Sequence, residues 1–202
     1  MEEKLLEVRH LKKYFHTPVG LLHAVDDVDF SIPKGKTMGV VGESGCGKST
    51  LGRSLLCLEP PTAGEILFEG KNIAALSKRE MKKVRPKIQM VFQDPYSSLN
   101  GRMTVRQLIA EPLLVNKICK NRAEVDQKVD EMMETVGLAK RLDMAYPHEL
   151  DGGRRQRIGI ARALILNPEF VVCDEPVSAL DVSIQAQILN LLMDLQESMN
   201  LT

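Results

Sequence analysis

A glycine-rich loop at residues 42–50 holds the residue types that can bind a nucleotide. Its members are, in order, Gly42, Glu43, Ser44, Gly45, Cys46, Gly47, Lys48, Ser49 and Thr50. Glycines let the backbone of such a loop curl around an anion with its N–H groups turned inward. In the spacing Gly-x-x-x-x-Gly-Lys-Ser, Lys48 would reach the β- and γ-phosphates, and the Ser49 hydroxyl would ligate Mg²⁺. The loop is therefore predicted to be a phosphate-binding P-loop; the alternative is a chance glycine-rich turn.

A P-loop has to lie between a strand and a helix. Residues 37–41 before the loop are Thr-Met-Gly-Val-Val, which predicts a short buried strand. Residues 51–56 after the loop predict the first turns of a helix, which the prolines at 60–61 would end. The N-terminus of that helix would add its partial positive charge to the phosphate site.

Two adjacent carboxylates, Asp174 and Glu175, follow the apolar run Phe-Val-Val-Cys at residues 170–173. In a parallel sheet, the carboxyl end of such a strand faces the ligand crevice. Asp174 can then hold hydrated Mg²⁺ opposite Ser49, and Glu175 can polarise a water for attack on the γ-phosphate. A strand followed by an acidic cap is the alternative interpretation, and the presence of a P-loop weighs against it.

The composition of the chain restricts its class. The 202 residues carry 27 basic and 27 acidic side chains, so no overall charge favours nucleic acid as a partner. The sequence has neither an apolar run of membrane-spanning length nor a secretory signal, so membrane contact is expected to go through a protein partner. The four cysteines, at positions 46, 57, 119 and 173, lack Cys-x-x-Cys spacing. Cys46 in the P-loop and Cys173 in an apolar strand are predicted to be reduced thiols of a cytosolic protein.

The remaining elements divide into an α/β part and a helical part. Residues 5–11 and 24–32 predict antiparallel strands, and Tyr14 or Phe15 between them would either stack on a purine or pack on the sheet. Residues 104–115 and 122–136 predict helices of an insertion. Two further helices are predicted at residues 154–166, after the pair Gly152 and Gly153, and at residues 181–199.

The predicted helix at residues 154–166 has a basic face. Its short arginine run has no interleaved aromatic residues, so a solvated or phosphate-facing helix start is favoured over a nucleic-acid surface. The arginines of this face are Arg154, Arg155, Arg157 and Arg162.

The order of these features resembles the nucleotide-binding subunits of ATP-binding cassette (ABC) transporters. The shared order is a P-loop, a glutamine at a strand end, a helical insertion, Gly-Gly before a basic helix, and then Asp-Glu. Three segments are similar to the ATPases of oligopeptide, dipeptide and nickel importers. They are Val-Phe-Gln-Asp-Pro-Tyr-Ser-Ser-Leu-Asn at 91–100, Tyr-Pro-His-Glu-Leu at 146–150 and Asp-Glu-Pro-Val-Ser-Ala-Leu-Asp-Val-Ser at 174–183. The resemblance covers nearly all 202 residues.

The resemblance implies an α/β fold. A P-loop NTPase core, with a mixed sheet and an N-terminal antiparallel β part, would comprise residues 1–93 and 167–202. An α-helical subdomain at residues 94–166 would carry the signature motif and dock a membrane subunit. In a dimer of such subunits, ATP lies between the P-loop of one chain and the signature motif of the other, which here includes Asp151, Gly152 and Gly153.

The resemblance also implies roles for single residues. Tyr14 would be the aromatic residue that stacks on adenine, and Gln93 would contact Mg²⁺ or water and report the γ-phosphate to the membrane partner. Asp174 would be the Walker B aspartate and Glu175 the catalytic glutamate. Residues 178–181 match the D-loop at the dimer interface.

The sequence departs from the family pattern at two places. The usual signature Leu-Ser-Gly-Gly-Gln is Leu-Asp-Gly-Gly-Arg at residues 150–154. An ionised Asp151 would repel the partner's γ-phosphate, and Arg154 would offset this by pairing with Asp151 or with phosphate. The second departure is at the end: Thr202 precedes the family's next core strand and its switch-loop histidine, so the sequence is expected to be a fragment with poor hydrolysis by itself.

The expected function is ATP hydrolysis in an ABC importer of peptides or a related small substrate such as nickel. ATP and Mg²⁺ are the expected cofactors. The expected partners are a second ATPase subunit, identical or different, and transmembrane permease subunits, with a substrate-binding protein acting indirectly and no nucleic acid. The chain would lie on the cytoplasmic face of the membrane. Alternatives are a soluble ABC-type ATPase acting on nucleic acid or the ribosome, and a weakly hydrolytic regulatory subunit of a transporter heterodimer.

Overall fold

The computed structural model describes residues 3–94 and 98–202. Pro95, Tyr96 and Ser97, which belong to the motif quoted for residues 91–100, lie outside the described residues.

The N-terminal part of the chain is an antiparallel sheet. Strands β1 (Lys4–Thr17) and β2 (Gly20–Pro33) form a long hairpin, and β3 (Ala63–Phe68) pairs with β1 on its other side. The short β4 (Lys71–Asn72) completes the order β2-β1-β3-β4. Apolar residues alternate with polar ones along these strands and place one face of the sheet in a core. The predicted antiparallel part is therefore confirmed, and both hairpin strands are longer than predicted.

A separate parallel pair of strands carries the carboxylates. Strand β5 (Ile88–Val91) pairs in register with β6 (Phe170–Cys173), and Val91 lies opposite Cys173. Both strands therefore reach their carboxyl ends at the same edge, where Gln93 and Asp174 follow. The parallel and antiparallel strands together with the helices confirm the predicted α/β fold with mixed strand directions; among the described residues, the two kinds of strand form separate sheets.

Helices cover both sheets. They are α1 (Lys48–Leu55), α2 (Lys78–Val84), α3 (Val105–Asn116), α4 (Arg122–Thr135), α5 (Gly152–Leu164) and α6 (Val182–Ser198). Short 3₁₀ turns lie at Ile73–Ala75, Arg85–Lys87, Lys140–Leu142 and Pro147–Glu149. The starts of α2 and α3 follow from capping boxes, in which Ser77 and Thr104 accept from the backbone of Glu80 and Gln107.

Two apolar clusters form the interior of the described chain. One joins α3, α4 and α5 with the inner face of α6, and its fully buried members include Ile109, Ile158 and Ile188. The other joins the antiparallel sheet with α1. The parallel strands contribute to both, since Val91 belongs to the first cluster and Phe170 to the second. The P-loop and the carboxylates thus lie between two packed units.

Residues 37–41 do not form the buried strand that their apolar sequence predicts. Among the described residues they have no strand partner, and Val40 and Val41 expose 51% and 96% of their surface. A cavity of about 490 Å³ lies between this segment and β6, lined by Met38 and Val40 on one side and Val172 on the other. Among the described residues, no backbone hydrogen bond joins this segment to β6, and a strand requires such a ladder with a neighbour.

The start of α5 also differs from its prediction. The helix begins at Gly152, because the Asp151 side chain accepts a hydrogen bond from the Arg154 amide and caps it. The glycine pair is therefore helical, whereas the sequence predicted a helix that begins after it.

The arginines of α5 are largely structural, which corrects the prediction of a solvated or phosphate-facing basic face. Arg155 is buried and donates from Nε to the Pro147 carbonyl. Arg157 donates to the Val136 carbonyl, and Arg162 to the Ser98 carbonyl and to Glu111. These contacts tie α5 to neighbouring elements of the helical part, because a guanidinium carries several donors in a fixed plane.

In the parts of the chain that the structure describes, none of the helices combines the length and the apolar character needed to cross a bilayer.

Candidate nucleotide site

The backbone of the P-loop is shaped for a close approach to β2. Gly47, the N-cap of α1, has a φ of 100°, and a Cβ atom on it would lie 2.1 Å from the Ala24 carbonyl oxygen. Gly45 likewise has a φ of 79°. Only glycine adopts these angles without strain, and at Gly47 only glycine leaves room for β2. Because Gly47 provides no side-chain cap, the first amide groups of α1 remain available to an anion.

The ammonium group of Lys48 contacts both the P-loop and Glu175. Its Nζ donates to the carbonyl oxygens of Gly42 at 2.9 Å and Glu43 at 2.8 Å. It also lies 3.8 Å from Oε1 of Glu175. The ammonium group is therefore held between the loop that precedes α1 and the carboxylate that follows β6, where it can exchange carbonyl partners for phosphate oxygens.

Ser49 and Asp174 meet at the carboxyl edge of the parallel strands. The Ser49 hydroxyl donates to Oδ1 of Asp174 at 2.7 Å, and Asp174 is only 6% exposed. A hydroxyl and a carboxylate are the oxygen ligands that Mg²⁺ takes beside substrate phosphates. This donor pair fits the magnesium ion that the family resemblance implies.

Glu175 has a constrained backbone and a paired carboxylate. Its φ of 44° places it in the left-handed region, which is uncommon for a residue with a Cβ atom and recurs at functional sites. Gln93 Nε2 donates to Oε2 of Glu175 at 2.8 Å and contacts the Ser178 hydroxyl at 3.3 Å. The structure thus brings Gln93, Glu175 and Lys48 into one cluster.

Lys48, Ser49, Gln93 and Glu175 line one open cavity of about 430 Å³, a size suited to a small-molecule ligand, whereas Asp174 lines the cavity of about 490 Å³. The antiparallel sheet contributes one side of the cavity, and the P-loop, Gln93 and Glu175 contribute the rest. The contributions from the sheet are Phe15, Leu22, His23 and Ala24.

Among the described residues, Phe15 is the aromatic residue that lines this cavity, whereas the sequence predicted a base contact for Tyr14. Tyr14 lies outside the cavity lining and stacks on His23, with ring centroids 3.9 Å apart. Its hydroxyl donates to Asp26, and this hydrogen bond raises the pKa of Tyr14 to about 12. The hairpin register pairs Tyr14 with His23 and Phe15 with Leu22, and both of these partners line the cavity, so the packing of the side chains decides which ring reaches it. Neither composition nor spacing specifies that packing.

The signature residues Asp151, Gly152 and Gly153 are not among the described residues that line this cavity. Both carboxylate oxygens of Asp151 face Arg154: Oδ1 accepts from its backbone amide at 2.8 Å, and Oδ2 lies 3.3 Å from its guanidinium. The N-terminus of α5 is therefore already capped by its own side chain, unlike that of α1.

The signature glycines serve the packing of α5. A Cβ atom on Gly153 would lie 2.7 Å from the Ile184 side chain, and one on Gly152 would lie 3.0 Å from Leu180. The glycines let the start of α5 approach α6 and the turn before it.

Residues 25–178 match the family described as "ABC transporter". The chain is 56% identical over 203 residues to the oligopeptide transport ATP-binding protein OppF of Bacillus subtilis (strain 168), covering 100% of this chain and 67% of the relative. It is 54% identical over 209 residues to the oligopeptide transport ATP-binding protein AppF of the same organism, covering 100% of this chain and 63% of the relative. The chain thus spans about two thirds of the length of these curated relatives.

A solved structure is also similar. The dimeric post-hydrolysis structure of the ATP-binding cassette MJ0796 bound to ADP and Pi aligns with a TM-score of 0.85 and 29% sequence identity. The alignment covers 96% of this chain and 83% of that one.

Proposed function

This chain belongs to the ABC transporter family, and from that premise we propose that it is the subunit that binds and hydrolyses MgATP to drive peptide uptake. The single observation that carries the proposal is the convergence of Lys48, Ser49, Asp174 and Glu175 at one edge of the parallel strands. These residues come from two distant segments. The ammonium group of Lys48 suits phosphate, the oxygens of Ser49 and Asp174 suit magnesium, and the carboxylate of Glu175 suits an attacking water.

The proposed mechanism begins with binding. A nucleoside triphosphate enters the open cavity, and its phosphates contact the amide groups of α1 and the ammonium group of Lys48. Lys48 then exchanges the carbonyls of Gly42 and Glu43 for phosphate oxygens, a stronger charge-assisted interaction. Ser49 and Asp174 would hold Mg²⁺, which supplies neutralisation of the charge on the phosphates when bound.

Hydrolysis is assigned to Glu175. Its Oε1 is paired with Lys48 before nucleotide binds, and phosphate draws that ammonium group away. The released carboxylate oxygen can accept a hydrogen bond from a water and orient it for attack on the γ-phosphate. Gln93 keeps the other oxygen in place.

The proposed partners are a second ATPase subunit and transmembrane permease subunits on the cytoplasmic face of the membrane, with a substrate-binding protein acting indirectly. The dimeric state of the MJ0796 cassette and the names of the relatives support this proposal. Exposed apolar residues at the end of α3, Leu114, Val115 and Ile118, offer a contact surface for a membrane subunit in the helical part. Peptide is favoured over nickel as the substrate class, because the relatives are oligopeptide transport proteins.

A coupled assay tests the proposal. The protein is reconstituted with its permease subunits in vesicles, and uptake of a labelled oligopeptide is measured together with phosphate release. We expect both to require MgATP and both to be lost in Glu175→Gln. Peptide uptake that persists in Glu175→Gln would contradict the proposal. So would phosphate release by the wild-type complex without any uptake of peptide.

A second candidate, a weakly hydrolytic subunit of a heterodimer, is favoured by Asp151. At contact distance its carboxylate would repel a partner's phosphate by about 1 to 4 kcal/mol, depending on the effective dielectric. The double substitution Asp151→Ser with Arg154→Gln is expected to raise the ATPase rate of the assembled complex. An unchanged rate would rule this candidate out.

A further inference from the structure

Ser178 lies in the turn that follows Glu175 and makes three contacts there. Its backbone amide donates to the Glu175 carbonyl at 3.2 Å, and its hydroxyl donates to the same carbonyl at 3.1 Å. The Ser178 hydroxyl oxygen is also 3.3 Å from Nε2 of Gln93. We propose that Ser178 is a positioning residue that holds Gln93 and Glu175 in the arrangement needed for hydrolysis. This inference rests on the proposed ATPase function.

The donors and acceptors of the three residues match without conflict. The single proton of the Ser178 hydroxyl points to the Glu175 carbonyl, so its oxygen can only accept from Gln93. The amide nitrogen of Gln93 has two protons, and Ser178 and Oε2 of Glu175 accept one each. The network therefore fixes which branch of the Gln93 amide faces Glu175 and leaves the carbonyl branch facing elsewhere.

The same residue restrains the backbone of Glu175. This residue has a φ of 44°, an unfavourable angle for a side chain with a Cβ atom. The backbone amide and the hydroxyl of Ser178 both donate to the carbonyl oxygen of Glu175. Ser178 thus stabilises the backbone of Glu175 directly and its carboxylate through Gln93.

The two carboxylate oxygens of Glu175 consequently have separate surroundings. Oε2 accepts from Gln93, and Oε1 faces Lys48 at 3.8 Å. When phosphate takes Lys48, Oε1 becomes the oxygen available to a water, while Oε2 stays fixed. Ser178 contacts neither phosphate nor water in this scheme, so its loss should reduce the rate of hydrolysis and spare nucleotide binding.

The test compares Ser178→Ala with Ser178→Thr in the protein purified with its accompanying subunits. We expect kcat for ATP hydrolysis to fall about three- to tenfold in Ser178→Ala, the effect of losing one or two modest hydrogen bonds. The dissociation constant for MgATP, measured by calorimetry, should change less than about twofold, because a residue that acts on hydrolysis alone leaves ground-state binding intact. Ser178→Thr keeps the hydroxyl and should retain near-normal kcat, as should Ser31→Ala on the edge strand β2.

A double-mutant cycle distinguishes positioning from general destabilisation. In a Gln93→Ala background, Ser178→Ala should cost clearly less than in the wild type, because one of its partners is already gone. Additive losses, equal losses in Ser178→Thr, or a loss of affinity that accounts for the loss of rate would overturn the role of Ser178. If the wild-type protein hydrolyses no ATP, or if its hydrolysis is unchanged in Glu175→Gln, the proposed ATPase function is overturned, and this inference with it.

Discussion

The Ser49 hydroxyl donates a 2.7 Å hydrogen bond to Oδ1 of Asp174, a residue 125 positions further along the chain. The first residue belongs to the helix that follows the P-loop, and the second follows the last strand of the parallel pair. Their contact joins the phosphate-binding and carboxylate motifs into one site. It is also the arrangement from which the magnesium role of both residues is proposed.

The proposed magnesium ligands predict a specific change in nucleotide binding. In Asp174→Asn, the affinity for ATP in the presence of Mg²⁺ should fall about tenfold or more, because a neutral amide replaces the anionic ligand. Affinity measured in EDTA should change little. Calorimetric titration under both conditions checks this. Equal losses with and without the metal would show that Asp174 supports the fold of the site, with no part in binding Mg²⁺.

The close approach of the P-loop to β2 predicts that Gly47 tolerates no side chain. Gly47→Ala would place its Cβ atom 2.1 Å from the Ala24 carbonyl and would also require a φ of 100°. The free energy of unfolding should fall by about 1 to 3 kcal/mol, or the loop should shift and lose ATP. Urea unfolding and nucleotide titration measure both. Gly101→Ala is the matched control, since no atom lies within 4 Å of its added Cβ; similar losses in the two variants would contradict this explanation.

The cavity lining predicts that Phe15, and not Tyr14, contacts the base of the nucleotide. Phe15→Ala should weaken ATP binding by about 1 to 3 kcal/mol, the magnitude of stacking between a base and an aromatic ring. Tyr14→Ala, which removes the ring that stacks on His23 and the hydroxyl bonded to Asp26, should weaken ATP binding much less. Titration with ATP and with inorganic triphosphate separates base contacts from phosphate contacts. A loss confined to the Tyr14 variant would restore the prediction made from the sequence.

An ion pair at the start of the parallel strands predicts a dependence of stability on pH. Lys87 lies 2.8 Å from Oε1 of Glu169, and this hydrogen bond is the main reason that the pKa of Glu169 lies below its ordinary value of 4.5. A lowered carboxylate pKa stabilises the folded state above the unfolded pKa, and the contribution is lost as pH falls through the folded pKa. Glu169→Gln should therefore lower the free energy of unfolding by about 0.5 to 1 kcal/mol at pH 7.

The difference between the variant and the wild type should shrink as pH falls through the lowered pKa of Glu169, because the wild-type carboxyl group is then protonated. Urea unfolding measured at a series of pH values from 7 downwards gives the comparison. A difference that stays the same over the series would mean that packing or hydrogen bonding, and not the charge of Glu169, is responsible.

The sequence predicted local elements well where one short-range interaction determines them. The alternation of apolar and polar residues in β1 and β2 fixes their buried face, and the amphipathic pattern of residues 122–136 fixes α4. The meeting of Ser49 with Asp174 was also predictable, because the P-loop motif and the Asp-Glu motif indicate ligands of the same magnesium ion.

The predictions failed where the outcome depends on distant partners. The apolar residues 37–41 resemble a strand, but a strand requires a neighbour, and a cavity lies between them and β6. Arg155 looks like a surface residue in the helical pattern, yet the Pro147 carbonyl provides a partner in the interior. The choice between Tyr14 and Phe15 depended on how the side chains pack in the folded hairpin, where Tyr14 stacks on His23, and composition does not specify that packing.

Lys48 and the loop around it are proposed to bind the phosphates of ATP. The test is calorimetric titration of MgATP into the wild-type protein and into Lys48→Ala, with the exposed Lys78→Ala as a control for loss of one positive charge. We expect saturable binding by the wild type and by Lys78→Ala, and none or far weaker binding by Lys48→Ala. Equal affinity in all three proteins, or binding by none of them, would show that this loop is not the nucleotide site.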